Sequence, residues 1–245
     1  MPRLLSRATL AGWVLATALL VSCDVRLPVQ QATCQRRQVR LVTPPAKPGE
    51  APDVLVWMLA NRYHTSMIFP YAWLVESGYI PPAGFGHPQY VVMSWGSQIA
   101  YSKQGARTPL RFLRVFLTPT HSVMELIPIE WNVAEVCSKQ RIWRKLVPRT
   151  KGPALAAFLN DCSVAGPDGK PRVLCESSWG HGVQLQGRCL YFIPRVCNVW
   201  TTQTIENLGG QINPWLALTA NGLIRQAERP PNDFELIWSG SDPTP

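Results

Sequence analysis

The chain has 245 residues, 46% of them hydrophobic, and a formal net charge of +9. This length and composition predict one domain with a real hydrophobic core. The positive charge is spread along the chain and is densest between Lys139 and Lys151, which predicts a solvated face; the alternative is a patch that touches anionic lipid or wall polymer. No zinc-ligand spacing or RNA-binding signature accompanies the charge, so we expect no nucleic-acid partner.

Residues 1–22 have the features of a secretory signal peptide. Arg3 and Arg7 precede an apolar run that is too short for a comfortable transmembrane helix. The run ends in Leu20-Val21-Ser22-Cys23, which resembles the bacterial lipobox, where the signal is cut before a cysteine that then carries lipid such as palmitate. The resemblance implies a lipoprotein anchored to the membrane through Cys23, with an ordinary secreted protein as the alternative. Asp24 resembles an inner-membrane retention signal, so we expect a periplasmic-side location in the cell envelope, with the inner membrane favoured.

Residues 23–52 are polar and proline-rich and predict a tether, residues 53–240 predict one globular domain, and residues 241–245 predict a tail. Apolar runs bounded by turn residues predict strands over residues 53–60, 64–69, 89–95, 122–129, 132–138, 188–193 and 234–238. Caps and periodicity predict helices over residues 108–117, 140–147, 153–161, 197–208 and 214–226, and residues 71–78 are expected to be a short helical or irregular piece. Because the two types mix without regular βαβ alternation, the sequence predicts an α+β fold with a mainly antiparallel sheet and the Cys197 helix packed on it.

Cys197 begins the helix predicted to end before Gly209-Gly210. A helix N-terminus favours a thiolate over a thiol and can lower the pKa of a cysteine enough to make it a nucleophile. The alternative is a buried or disulfide-bonded cysteine in a secreted protein.

The chain has seven cysteines. If Cys23 is acylated, six remain in an oxidising compartment, and a nucleophilic Cys197 leaves at most two bridges and one further thiol. Cys162 and Cys175 bracket a polar, turn-rich insert, so we expect a local disulfide between them.

A thiol nucleophile needs a base and a third polar group that orients the base. Of the four histidines, His64 stands at the turn between two predicted strands, whereas the others lie in loops or at element ends. The alternative for His64 is a hydrogen-bonded structural residue. Candidate orienting groups lie on the strand that follows: Ser94, Ser97 and Gln98. Asn198 is a further candidate, as an orienting group or as an oxyanion donor.

Other ligand chemistry has weaker signals in the sequence. No CxxC, HxxxH or HExxH spacing occurs, so we expect neither a metal site nor a cofactor. Trp95, Trp179 and His181 are candidates to line a groove for an envelope peptide, glycan or lipid. The alternative for the loop around Trp179 is a mobile segment with one buried tryptophan.

Several segments between Val54 and Gly210 resemble an uncharacterised bacterial envelope family, domain-of-unknown-function family 2459. They are residues 63–70, 94–97, 101, 118–123 and 196–201. The family has a Trp-His-Thr-Asp, a Gly-Trp-Gly-Asp and a Cys-Asn-x-Trp-Thr segment. The histidine, the Trp-Gly pair and the whole cysteine segment match here, but Ser66 and Ser97 replace the aspartates and Tyr63 replaces the first tryptophan.

The order of His64 and Cys197 is also similar to that of circularly permuted NlpC-type and papain-like thiol enzymes, such as the lecithin retinol acyltransferase group. This similarity implies a permuted papain-like fold in which Cys197 is the nucleophile, His64 the base, and Ser97 or Gln98 the orienting group. The resulting expectation is an envelope lipoprotein that acts as a Cys/His thiol hydrolase or acyltransferase on amide or acyl bonds. The alternative is a non-catalytic binding or structural lipoprotein on the same scaffold.

Overall fold

Eight strands form one open antiparallel sheet in the part of the chain that the computed structural model describes, residues 25–29, 53–101, 115 and 117–241. Their spatial order is β6-β7-β4-β3-β2-β1-β5-β8. The strands are β1 (Val54–Ala60), β2 (Thr65–Pro70), β3 (Tyr90–Ser97), β4 (Thr120–Ile129), β5 (Arg141–Val147), β6 (Val173–Glu176), β7 (Val183–Tyr191) and β8 (Glu235–Trp238).

Six α-helices lie in the same described residues, so the predicted α+β class and antiparallel sheet are confirmed. They are α1 (Tyr71–Glu76), α2 (Gln98–Tyr101), α3 (Val133–Val136), α4 (Gly152–Cys162), α5 (Cys197–Asn207) and α6 (Ala220–Ala227). Two 3₁₀ turns, Arg149–Lys151 and Pro214–Ala217, precede α4 and α6. Within these ranges no helix is long and apolar enough to cross a membrane.

The central strands bury both faces because alternate side chains point to opposite sides of the sheet. Met58 and Met67 lie on the larger core, which α1, α4, α5 and α6 cover. Trp57 and Ile68 lie on the smaller core, which α3 covers in part through Val133. Helix α5 packs on β2 and β3 in the larger core, as the sequence predicts for the Cys197 helix.

Two predicted elements between residues 132 and 147 exchange their types in the structure. Residues 141–147, predicted as a helix, form β5, which pairs with β1 along its whole length. The β-branched and aromatic residues Ile142 and Trp143 are buried on opposite faces of the sheet. Residues 132–138, predicted as a strand, instead contain α3, whose N-terminus Asn132 caps through its side chain.

Other boundaries differ from the prediction in local ways. The helix predicted over residues 214–226 is divided at Thr219, whose side chain caps α6. The strand predicted over 188–193 is the end of the longer β7, and β6 was not predicted because its residues are exposed at the sheet edge. Most of the helix predicted over 108–117 lies outside the described residues.

Residues 25–29, part of the predicted tether, pack against α5. The side chains of Val25, Leu27 and Val29 are buried in the larger core. The Gln203 side chain accepts a hydrogen bond from Leu27 N at 2.8 Å and donates one to Leu27 O at 3.0 Å. Arg26 forms a two-point ion pair with Glu206. The chain therefore joins the domain within two residues of Cys23.

Candidate active site at Cys197 and His64

Helix α5 is buried on nearly all sides. All residues from Cys197 to Ile205 are buried, including four consecutive polar ones at 201–204. The hydroxyls of Thr202 and Thr204 donate to backbone carbonyls one turn earlier, at 3.0 Å each. These bonds satisfy the polar side chains inside the core.

The thiol of Cys197 lies at the first turn of α5, against the chain that enters β2. Its Sγ is 3.9 Å from Tyr63 O and 3.8 Å from Asn198 Oδ1, and both oxygens are acceptors for the thiol proton. The side chain is only 6% exposed. The residue before it, Val196, has no side chain that can cap the helix, so the N-terminal N–H groups remain directed at this end.

Burial dominates the acidity of Cys197 and raises its pKa to about 11. Hydrogen bonds from the Tyr191 side chain and from the backbones of Thr65, Asn198 and Cys197 lower the pKa but do not offset the burial. The resting group is therefore a neutral thiol at pH 7. The expectation that the helix N-terminus alone makes a low-pKa thiolate is not met, because desolvation outweighs the donors.

His64 stands directly before β2, and its neighbours on both sides contact the start of α5. Tyr63 O accepts from the Cys197 thiol, and Thr65 Oγ1 lies 3.0 Å from Asn198 Oδ1. The half-buried His64 ring has a different partner, the Tyr101 hydroxyl, 3.1 Å from Nε2. Burial lowers the pKa of His64 to about 4, so the ring is neutral at pH 7. Among the described residues, no hydrogen bond joins this ring to Cys197.

The side chain that contacts the His64 ring is Tyr101, and not the predicted Ser97 or Gln98. Ser97 is buried with its hydroxyl 3.0 Å from Thr120 Oγ1, and Gln98 is exposed. Neither contacts His64. Ser97 is three residues from Ser94 on β3, so its side chain points to the opposite face of the sheet from Ser94 and Tyr101. Tyr101 is one of the residues that carry the family resemblance, but its position in the sequence did not predict its hydrogen bond to His64.

Asn198 joins the start of α5 to two neighbouring segments. Its Nδ2 donates to Leu218 O at 3.1 Å, and its Oδ1 accepts from Thr65. One of its two amide N–H groups is thus used by Leu218, and the role of oxyanion donor stays a prediction. The bond to Thr65 fixes α5 against β2, which keeps Cys197 beside the His64 segment.

The expected disulfide between Cys162 and Cys175 is absent, and both cysteines are free, as are Cys137, Cys189 and Cys197. Cys162 is buried at the end of α4, where its Sγ accepts from Trp200 Nε1 at 3.3 Å. Cys175 is exposed on the edge strand β6, with its thiol on Gln184. The insert between them folds back through β6 onto β7 and needs no local bridge. Cys23 lies outside the described residues.

The three groove candidates are not brought together. Trp95 is fully buried and packs against Tyr191, with ring centroids 5.2 Å apart, so it is a core residue. Trp179 is 68% exposed, and His181 is also exposed, in the turn between β6 and β7. A cavity of about 330 Å³ lies elsewhere, beside Trp57 and Trp131 on the smaller core. In the described ranges no three His, Cys, Asp or Glu side chains are grouped so as to hold a metal ion.

No family model, curated protein or solved structure matches this chain. The likeness to the bacterial envelope family and to the permuted thiol enzymes therefore rests on the sequence segments, and its functional content is a matter of proposal.

Proposed function

We propose that the protein is an envelope-anchored lipoprotein in which Cys197 is the nucleophile of a thiol hydrolase or acyltransferase acting on amide or acyl bonds. The observation that carries the proposal is the position of the thiol: Cys197 Sγ lies at the start of α5, 3.9 Å from the carbonyl oxygen of Tyr63, the residue before His64.

A buried cysteine with a purely structural role behaves as a small hydrophobic group. Cys162 fits that description: its thiol lies inside the core with Trp200 Nε1 3.3 Å away, and burial strongly raises its pKa. Burial also raises the pKa of Cys197, but less, to about 11, and the Tyr191 side chain lowers it. A group that donates to the sulfur is suited to stabilise the negative charge that develops when the thiol gives up its proton.

His64 is the base in this proposal, because a neutral imidazole can accept the proton of a neutral thiol during the attack. The sulfur forms a bond to the carbonyl carbon of the substrate while its proton passes to His64. The imidazolium then protonates the leaving amine or alcohol, and a thioester remains on Cys197. Water or a second nucleophile cleaves that thioester, and the thiol is restored.

The proposed fold relationship is to circularly permuted papain-like enzymes. It is supported by the chain order, in which the histidine enters β2 early and the cysteine begins a late helix. It is also supported by packing, since α5 lies across β2 and β3 in the larger core. Both features place the thiol beside the histidine segment despite more than a hundred intervening residues.

Lipidation of Cys23 is proposed from the lipobox resemblance. Docking of residues 25–29 supports a short connection, because Leu27 is bonded to α5 through both of its backbone groups. An acylated Cys23 would hold the domain at the bilayer, where an envelope substrate is available.

A non-catalytic lipoprotein is the second candidate, and one observation favours it. Cys197 is 6% exposed, and the His64 ring bonds to Tyr101 rather than to the thiol. A binding or structural protein would need no more from this site than the neutral, buried pair that is present.

An acyl-transfer assay separates the two candidates. The purified protein is mixed with a small activated ester, and each acylated cysteine is located by mass spectrometry of its peptides. We expect a thioester at Cys197 at neutral pH, at least tenfold slower to form in His64→Ala. Cys175→Ser is the matched control, because it removes an exposed thiol and should leave acylation of Cys197 unchanged. Acylation of Cys175 with none at Cys197 would support the non-catalytic candidate.

A further inference from the structure

Among the described residues, Tyr101 makes the one hydrogen bond to the His64 ring, and the sheet holds it there. Its hydroxyl lies 2.8 Å from Ser94 Oγ and 3.1 Å from His64 Nε2. The two rings meet edge to face with centroids 6.0 Å apart. Three side chains from β3, α2 and the start of β2 thus form a chain of hydrogen bonds.

The ring of Tyr101 can lie there only because residue 96 is glycine. A Cβ atom at Gly96 would be 2.4 Å from Tyr101 Cε2, closer than any real Cβ contact. The ring therefore rests directly on the backbone of β3. This close approach turns the Tyr101 hydroxyl toward Ser94, two residues earlier on the same face of the strand.

A second anchor holds the main chain of Tyr101. Gln184 Nε2 lies 3.3 Å from Tyr101 O and 3.4 Å from Glu125 Oε1. The strand register places Ser94 opposite Glu125, and Glu125 opposite Gln184. Glu125 also accepts from Ser177 Oγ at 2.6 Å. A row of polar side chains across β3, β4 and β7 thus fixes Tyr101 at both its hydroxyl and its carbonyl.

The Tyr101 hydroxyl has a single proton and two partners, Ser94 Oγ at 2.8 Å and His64 Nε2 at 3.1 Å, so it can donate to only one of them. If it donates to Ser94, the phenol oxygen is left to accept from His64 Nε2–H. The opposite arrangement would place the ring proton on Nδ1, for which no partner is present among the described residues, and an unpaired donor is costlier than an unpaired acceptor.

We propose that Tyr101 and Ser94 together fix the tautomer of His64, so that Nε2 carries the proton and the Nδ1 lone pair is left free to act as the base. Tyr101 is a positioning residue and acts only through His64. The role of Nδ1 as a base rests on the proposed function, whereas the position of the ring proton does not depend on any activity. It replaces Ser97 and Gln98 as the third component of the site.

The test is the tautomer of His64, read from the ¹⁵N chemical shifts of the ring nitrogens in protein labelled at histidine. In the wild-type protein we expect protonated Nε2 and unprotonated Nδ1. In Ser94→Ala the Tyr101 hydroxyl loses its acceptor and turns to donate to Nε2, so the ring proton should move to Nδ1. In Tyr101→Phe, which keeps the aromatic ring, neither tautomer is held and the shifts should become those of a mixture.

Ser97→Ala is the matched control, because its hydroxyl bonds to Thr120 and not to the histidine. Its spectrum should retain the wild-type tautomer. A wild-type ring protonated on Nδ1, or an unchanged tautomer in both Ser94→Ala and Tyr101→Phe, would overturn the inference. Failure of Cys197 to form a thioester would refute the proposed function instead, and would leave the tautomer result unaffected.

Discussion

The docked segment at residues 25–29 provides a prediction that can be worked from the structure. Burying three aliphatic side chains stabilises docking by about 1.5–3 kcal/mol each. Ordering the backbone of five residues costs about 1–2 kcal/mol each, which nearly cancels that gain. The two hydrogen bonds between Gln203 and Leu27 therefore decide whether the segment stays docked. At about 0.5–1.5 kcal/mol apiece, they contribute about 1–3 kcal/mol together.

Replacing Gln203 with alanine should release the segment and expose the bond after Arg26 to trypsin. When cleavage is slow relative to docking, its rate follows the population of the undocked state, so a loss of about 1–3 kcal/mol predicts a rise of about 5- to 150-fold. The rate is measured by mass spectrometry of the released N-terminal fragment, with circular dichroism showing that the domain remains folded.

Glu206→Gln is the matched control, because the ion pair with Arg26 is partly exposed and contributes about 0.2–1 kcal/mol. It should accelerate cleavage less than about 5-fold. Equal cleavage rates in the wild-type protein and in Gln203→Ala would refute the reasoning and return this segment to the role of a free tether.

Three further predictions concern the site. Gly96→Ala should lower the free energy of unfolding in urea by about 1–3 kcal/mol, because the new Cβ displaces the Tyr101 ring; an unchanged midpoint would contradict the close approach. The pKa of His64 is lowered from 6.5 to about 4, so the native state binds fewer protons than the unfolded state between these values. Stability should therefore fall as the pH is lowered through this window, by up to about 3 kcal/mol, and His64→Gln should remove that slope in denaturation series at several pH values. Burial raises the pKa of Glu125, so its effect has the opposite sign: stability should fall as the pH rises above 4.5, and Glu125→Gln should be less sensitive to pH there. A pH dependence identical to wild type in either variant would show that the corresponding group is not desolvated.

The sequence was most informative where hydrophobic pattern and burial agree. The continuous apolar run over residues 54–60 forms β1, as predicted. Helix α5 begins at Cys197, also as predicted. The prediction was wrong for residues 141–147, because their basic and apolar side chains recur every three to four residues, which is the pattern of an amphipathic helix. Pairing with β1 on one side and β8 on the other decides the outcome, and that pairing is not visible locally.

The sequence predicts Cys197 and His64 as the reacting pair and Ser97, Gln98 and Asn198 as candidates beside them, and the structure supplies the surroundings. Cys197 and His64 were identified from residue type and chain order, but their protonation depends on burial, which reverses the expected acidity of the thiol. Tyr101 could not be assigned to His64 from sequence, because the contact depends on its ring lying across Gly96. The docking of Leu27 on Gln203 joins residues 176 positions apart and leaves no local signal either.

The central claim is that His64 takes the proton of Cys197, and the pH dependence of Cys197 acylation tests it most directly. A neutral base with a pKa of about 4 and a thiol with a pKa of about 11 predict a rate that is nearly independent of pH between these values. In His64→Ala only the thiolate reacts, so the rate should rise about tenfold per pH unit over the same range. A wild-type profile that also rises tenfold per unit, parallel to that of His64→Ala, would show that the imidazole takes no part and would contradict the account.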